Sequence, residues 1–254
     1  TFILSDYSAK ITKFSNPSGL ISDYYVGHNL GEIWGLTTGG LFQTDEEALA
    51  LDQSNINGRK RQAGDLWMVD LDGDGKITRG AQTLSNPGDM SVIGNNTPRY
   101  SYGFRTNWKW KGFDLDLFFQ GVAKRDLNMS QLYYLTQYSN EWVGISKAAM
   151  DYWSPENREA FFPRPIISGA GDITTVQSRF LQNAAYLRLK QLSFGYTIPS
   201  DITRKIGMER IKVFFTGANL WTATKMIKIS DPELPGPSSY PLYKSLSLGA
   251  NINY

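Results

Sequence analysis

PRYSYGFRTNWKWKGFDLDLFFQG, residues Pro98 to Gly121, alternates apolar and polar side chains almost without a fault. Tyr100, Tyr102, Phe104, Thr106, Trp108 and Trp110 share one side of an extended chain, while Ser101, Gly103, Arg105, Asn107 and Lys109 share the other, because successive strand side chains point to opposite faces. Lys111-Gly112 then turns the chain. It returns with Phe113, Leu115, Leu117 and Phe119 against Asp114, Asp116 and Gln120, and only Phe118 breaks the rule. The stretch therefore reads as a β-hairpin with one apolar and one polar face. Alternation alone gives an antiparallel sheet, in a soluble sandwich or a membrane barrel alike. Each arm is about ten residues long, enough to cross a bilayer when tilted, and Tyr and Trp gather near the arm ends, where an interfacial girdle would sit.

Downstream, three more segments read as strands. Ala184 to Ile198 changes phase near Gln191, from Leu187 and Leu189 to Leu192, Phe194 and Tyr196, which predicts a bulge or an exit from the buried zone. Arg210 to Leu220 places Ile211, Val213 and Phe215 on one face. Ser245 to Tyr254 is cleaner still, with Leu246, Leu248, Ala250, Ile252 and Tyr254 opposed to Ser245, Ser247, Gly249, Asn251 and Asn253. Connections alternate between short (Lys111-Gly112, then 199–209) and long (122–183, then 221–243). That asymmetry is the habit of outer-membrane barrels. The expected fold class is all-β: antiparallel strands of a transmembrane β-barrel, with 43–98, 122–183 and 221–243 as extracellular loops containing short helices. In the longest loop Asn128–Tyr138 and Ile145–Trp153 have helical spacing. Tyr133, Trp142 and Trp153 there are candidate ligand contacts, set against a reading in which they and Phe161 and Phe162 are the loop's own core.

Upstream, Thr1 to Phe14 reads as the tail of a strand ended by the turn Asn16-Pro17-Ser18-Gly19, and Gly31 to Phe42 is β-like. Thr44 with Glu47 forms a capping box opening a helix over Asp45–Leu51. Asp70-Leu71-Asp72-Gly73-Asp74-Gly75-Lys76-Ile77-Thr78 matches the first nine positions of an EF-hand-type calcium loop, with carboxylates at Asp70, Asp72 and Asp74, a turn glycine and a backbone carbonyl at Lys76. Clustered hard oxygens suit Ca²⁺ rather than a transition metal. Position twelve is Ala81, where a bidentate acid belongs, so a bound ion needs a carboxylate from elsewhere, such as Asp65 or Asp89. The competing reading is an Asp/Gly-rich turn whose side chains bond their own backbone.

Composition excludes more than it names. The mean hydropathy of −0.35 is uninformative for alternating strands, which average out over any window; the missing long apolar run excludes a transmembrane helix alone. With 26 basic and 24 acidic residues, net charge +2 and no basic run, no nucleic-acid footprint is visible. There is no Cys and one His, His28, which removes thiol chemistry, disulfides and zinc clusters and leaves a turn histidine. Thr1 to Lys13 has no signal-peptide pattern, and the chain is expected to be a fragment of something longer.

Taken in order, GDLWMVDLDGDGKIT, the central hairpin, AAYLRLKQLSFGYTIP, RIKVFFTGANLWTATK, Asp231-Pro232-Glu233 and the aromatic-terminated last strand resemble the C-terminal part of a SusC/RagA-type TonB-dependent outer-membrane transporter. GEIWGLTTGGLFQTDEEA also resembles that family. The resemblance implies a roughly 22-stranded barrel in the cell outer membrane, in contact with its lipid. It implies import of oligosaccharide or peptide nutrients, energised by TonB through an N-terminal plug that these residues lack. It further implies a SusD-like surface lipoprotein as partner, and no enzymatic step. The family usually carries an acid near position twelve of the acidic loop, which Ala81 does not supply.

A soluble calcium-dependent carbohydrate-binding module is the alternative, since the acidic loop and loop aromatics suit it too. Outward aromatics on every strand oppose it, because a soluble sheet would expose them as a patch. A glycoside hydrolase would need two facing carboxylates, whereas Asp114 and Asp116 lie on one strand face about 7 Å apart by strand rise.

Overall fold

A computed structural model describes residues 1–51, 53–128, 147, 150–166, 171–228, 230–234, 240 and 242–254. Its strands are β1 (Phe2–Ser5), β2 (Glu32–Leu36), β3 (Thr38–Leu41), β4 (Leu66–Met68), β5 (Met90–Asn95), β6 (Arg99–Trp110), β7 (Phe113–Lys124), β8 (Asp126–Asn128), β9 (Leu181–Asn183), β10 (Tyr186–Thr197), β11 (Arg210–Thr224) and β12 (Ser245–Asn253). The chain divides into two compact units, one of Thr1–Tyr7, Pro98–Arg125 and Asn183–Tyr254, the other of Ser8–Thr97 and Asp126–Gln182.

The first unit is an antiparallel sheet ordered β1-β6-β7-β10-β11-β12. The hairpin forms as its sequence requires: Trp110 pairs with Phe113, and Lys111 (φ 47°) and Gly112 (φ 87°) are both left-handed, the backbone of a turn whose twist matches its strands. Cross-strand register carries one apolar row through the sheet: Trp108 faces Leu115, Leu115 faces Phe194, Phe194 faces Phe215, and Phe215 faces Leu248. The opposite face carries Arg105, Asn107, Asp114, Asp116, Lys212 and Asn251. Phe118 stands on that polar face, opposite Arg105 and Gln191. The expected bulge is present, since both neighbours of β10 shift register between Leu189 and Gln191. Against β7 Lys190 is the extra residue, and it brings Leu192 back to the face of Leu189; against β11 the longer side is β11, whose Asn219 and Leu220 span the same step.

The apolar row lies open. Trp108, Trp110 and Leu248 are 66, 67 and 80% exposed, so among the described residues no second sheet layer covers them as a soluble sandwich would demand. Charges on the other face are paired, Arg105 with Asp116 at 2.9 Å and Lys212 with Asp114 at 2.8 Å. Tyr102 crosses β7 at Gly121 and donates its hydroxyl hydrogen to the Tyr186 carbonyl at 3.2 Å. A Cβ on Gly121 would meet that ring at 2.5 Å, which is why glycine stands there. Short connections (111–112 and 198–209) fall at one end of the sheet and long ones (6–98, 125–185 and 225–244) at the other. β1 and β12 are open edges of the described sheet.

The second unit buries its own core, including Leu36, Leu41, Phe42, Leu66, Met68, Phe162 and Phe180. β2 pairs with β5 and β3 with β4. Helix α1 (Asp45–Ala50) starts at Thr44, whose side chain accepts from the Glu47 amide at 3.2 Å, while Glu47 reaches back to the Gln43 amide at 2.7 Å. The return bond thus falls one residue earlier than in the capping box read from sequence. The helix expected over Ile145–Trp153 fails at its described end. Tyr152 bridges Phe162, and the Trp153 amide donates to the Phe162 carbonyl at 3.0 Å, a tertiary pairing that overrides local helical spacing. Asn128, where the other helix was expected to open, ends β8; the rest of that expectation lies outside the described residues. Phe162 enters the core and half-buried Phe161 packs against it, the two rings and Phe180 lying at centroid distances of 4.9 to 6.2 Å.

Candidate functional site

On the polar face of the sheet, β10 holds the densest charge network of the first unit. Arg188 Nη2 donates to both Asp231 oxygens at 2.7 and 2.8 Å, Nη1 to Glu233 at 2.8 Å, and Nε to the Thr222 hydroxyl at 2.9 Å. Lys190 Nζ adds bonds to both Glu233 oxygens at 2.9 and 3.1 Å. The Arg188 and Asp231 side chains are 4 and 8% exposed. A planar guanidinium supplies this many fixed donors where an ammonium could not. Burial raises the Asp231 pKa, but Arg188 and the Glu233 and Leu242 amides outweigh it and hold the carboxyl below its usual range. Asp231-Pro232-Glu233 is thereby tied to the sheet's polar face. Sequence reading singled out that tripeptide and missed its partners, for which the phase change beside Lys190 was the available signal.

In the second unit the acidic loop folds on itself. Asp70 accepts from the Gly73 and Gly75 amides at 2.6 and 2.9 Å, Asp72 from Asp74 at 3.2 Å, and Asp74 from Lys76 at 2.7 Å. Asp70 and Asp72 converge with Asp89, ligand oxygens all within 4.8 Å of one another. Asp89 is fully buried and accepts from the Leu71 and Thr78 amides, each at 2.7 Å. It closes the loop's two ends and stands where Ala81 leaves a gap. The Asp74 amide pulls the Asp72 pKa down, yet desolvation and the like charges of Asp74, Asp89 and Asp70 prevail and raise it. The donors are hard oxygens, of the kind that suit Ca²⁺. Asp74 lies outside the converging trio.

Asp65 is not available to that loop. It is paired with Arg59 at 3.0 Å and Arg164 at 2.8 Å, its side chain wholly buried. Trp153 lies against Gly64, where an added Cβ would meet its ring at 2.3 Å, and its indole nitrogen is buried with no hydrogen-bond partner among the described residues. Tyr133 and Trp142 lie outside the described residues. His28 is buried between Tyr24 and Tyr25, ring centroids 5.5 and 4.6 Å away.

No family model matches the chain. Curated relatives do: TonB-dependent receptor P3 of Formosa agariphila is 28% identical over 244 residues, covering 90% of this chain and 22% of the relative. TonB-dependent receptor P26 of the same organism is 26% identical over 253 residues, with 90 and 23% covered. Among solved structures, the RagAB peptide transporter superposes with a TM-score of 0.61 at 20% identity, covering 90% of this chain and 23% of that one. The RagAB peptide importer in its closed-closed state gives 0.59 at 19% identity, covering 95 and 25%. The chain thus spans about a quarter or less of the length of these proteins. The chain is related in sequence to TonB-dependent receptors, which are outer-membrane proteins, and its open sheet shares its fold with the matching part of the RagAB transporter, as the sequence resemblance led one to expect. The matched proteins are receptors and transporters, not enzymes.

Proposed function

We propose that this chain forms barrel wall and extracellular loops of a TonB-energised outer-membrane importer of glycan or peptide, working with a SusD-like lipoprotein. The uncovered apolar row through β6, β7, β10, β11 and β12 carries the reading, because such a row is stable only against lipid while the paired charges face a polar lumen. The long connections, all at one end of the sheet, are the extracellular ones. The same exposed row speaks against the soluble carbohydrate-binding module. The test is a full-length protein lacking Leu246–Tyr254. With β12 gone the wall is broken beside β11 and an unpaired edge is left in the bilayer, and heat-modifiable protein should vanish from the outer-membrane fraction. Normal amounts there would refute the assignment.

A second reading concerns the acidic loop, which we propose holds Ca²⁺ through Asp70, Asp72, Asp74 and the Lys76 carbonyl, with Asp89 in place of the missing twelfth-position acid. The convergence of Asp89 with Asp70 and Asp72 favours it. The ion would take oxygens at about 2.3 to 2.6 Å and stiffen an extracellular loop. Calorimetric titration of the full-length protein should show calcium binding that Asp89→Asn weakens; no calcium heat at millimolar concentration would leave only a self-bonded turn.

A further inference from the structure

The second unit contains a cleft of about 430 Å³ lined by Trp34, Leu36, Arg79, Gln82, Met90 and Thr174, which neither the strand wall nor the acidic loop uses. Its apolar side comes from the β2/β5 ribbon. Leu36 stands opposite Met90, and Trp34 lies two residues along on the same face. The Trp34 ring is held in place, for its Nε1 donates to the Tyr25 hydroxyl at 3.2 Å and that hydroxyl donates to Glu32 at 2.7 Å. The Glu32 carboxyl, despite burial that opposes it, is kept below its usual range by Tyr25 and Asn29, and so remains an acceptor.

The polar side comes from the turn that follows the acidic loop. Gly80 (φ 52°) packs against the backbone of Gly88, where an added Cβ would meet nitrogen at 2.5 Å, so the turn is tightly fixed. Gln82 is left-handed at φ 54°, a conformation unfavourable for a non-glycine residue and one that strained functional segments often retain. Arg79 Nη2 donates to the Thr175 hydroxyl at 2.8 Å. Among the described residues Arg79 pairs with no carboxylate, which leaves the rest of its donor fork for a ligand.

We propose that this cleft binds a sugar ring bearing a carboxylate. The flat face of the ring lies on Trp34, the carboxylate takes the Arg79 fork, and ring hydroxyls meet Gln82 and Thr174. An apolar cleft with a few convergent polar groups is the usual form of such a site. A peptide adding as a strand is excluded at this edge of β2, because the Leu36 amide already donates to the Val176 carbonyl at 3.0 Å and Leu36 bridges Gln177 in parallel. The assignment rests on the importer reading and narrows it to acidic oligosaccharides.

Full-length receptor in detergent, titrated calorimetrically with digalacturonate and dimannuronate, tests it, with galactobiose as the neutral ring and trialanine as a peptide carboxylate. Saturable uronate binding that Arg79→Gln weakens at least about tenfold, the loss of one charge-assisted contact, supports the site. Gln82→Gly, which relieves the left-handed backbone and removes the whole side chain with its amide, should keep the fold and lower affinity severalfold. No uronate heat at millimolar concentration, equal affinity in Arg79→Gln, or trialanine binding more tightly than the uronates would overturn it. Outer-membrane fractionation reads the barrel separately: an inserted receptor that binds no uronate sinks this site alone, whereas a protein absent from the outer membrane sinks the importer reading.

Discussion

In the unit built from Ser8–Thr97 and Asp126–Gln182, the large apolar side chains Leu36, Leu66, Met68, Phe162 and Phe180 are sealed inside, whereas in the six-stranded sheet Trp108, Trp110, Leu246 and Leu248 stand in the open. Both draw on the same residue types, so composition does not separate them. The separation lies in what surrounds each. A unit bathed in water must enclose its apolar surface, and here it does so with short two-stranded ribbons, a capped helix and an aromatic cluster. A sheet bathed in lipid needs no enclosure on that side and must instead settle its polar groups on the other. Arg105 with Asp116, Lys212 with Asp114 and Arg188 with Asp231 do this. Buried charge in the loop unit obeys the same rule, Asp65 being held between two arginines.

The contrast can be broken most directly by truncating the aromatic cluster. Phe180→Ala should destabilise the loop unit by about 3 to 5 kcal/mol, transfer and cavity terms together, read as a lower denaturant midpoint for that unit in the full-length protein. An unchanged midpoint would mean that its core does not behave as a water-driven one. Leu248→Arg probes the other environment. In a bilayer it should cost about 2 to 4 kcal/mol near the midplane, measured by unfolding from lipid vesicles. Little or no change there would mean that the row does not face lipid. The smallest effect concerns the first strand. The hydrogen bond from Arg99 brings the Asp6 carboxyl down from 3.8 to about 2. A depressed folded pKa gives stability that is complete above 3.8 and lost as pH falls toward 2. Hydrogen exchange at β1 should accelerate across that window, and Asp6→Asn should abolish the dependence.

Much of the sheet was legible because its signals are local. The hairpin follows from period-two alternation and Lys111-Gly112, and the bulge from a change of phase that no unbroken strand permits. The Thr44 cap and the Asn16 to Gly19 turn were equally readable, each set by residues within a few positions. What escaped depends on distant partners. The choice between Asp65 and Asp89, both readable as candidate carboxylates for the loop, needed the fold: Asp89 converges with Asp70 and Asp72, whereas Arg59 and Arg164 hold Asp65. Arg188 meets Asp231 across |i−j| of 43, a distance over which periodicity is silent. The Ile145–Trp153 spacing misled because Phe162 offers Tyr152 a bridge that helical propensity cannot foresee. The cleft at Trp34 was invisible for the same reason, since its lining comes from β2, the turn after the acidic loop, β5 and the stretch around Thr174.

Lys190 also decides which length changes β10 can absorb. The row Leu187 and Leu189 and the row Leu192, Phe194 and Tyr196 have opposite parity, and the extra residue reconciles them. Removing Lys190 itself would leave β10 alternating without interruption against β7, every apolar side chain still outward, at the loss of one bond partner for Glu233 and with Asn219 and Leu220 of β11 bulged opposite the gap. Removing a residue such as Phe194 would instead turn the remainder of the strand inside out. The bulge is therefore the strand's joint of tolerance, the one place where the gene can lose a codon and the wall keeps its facing.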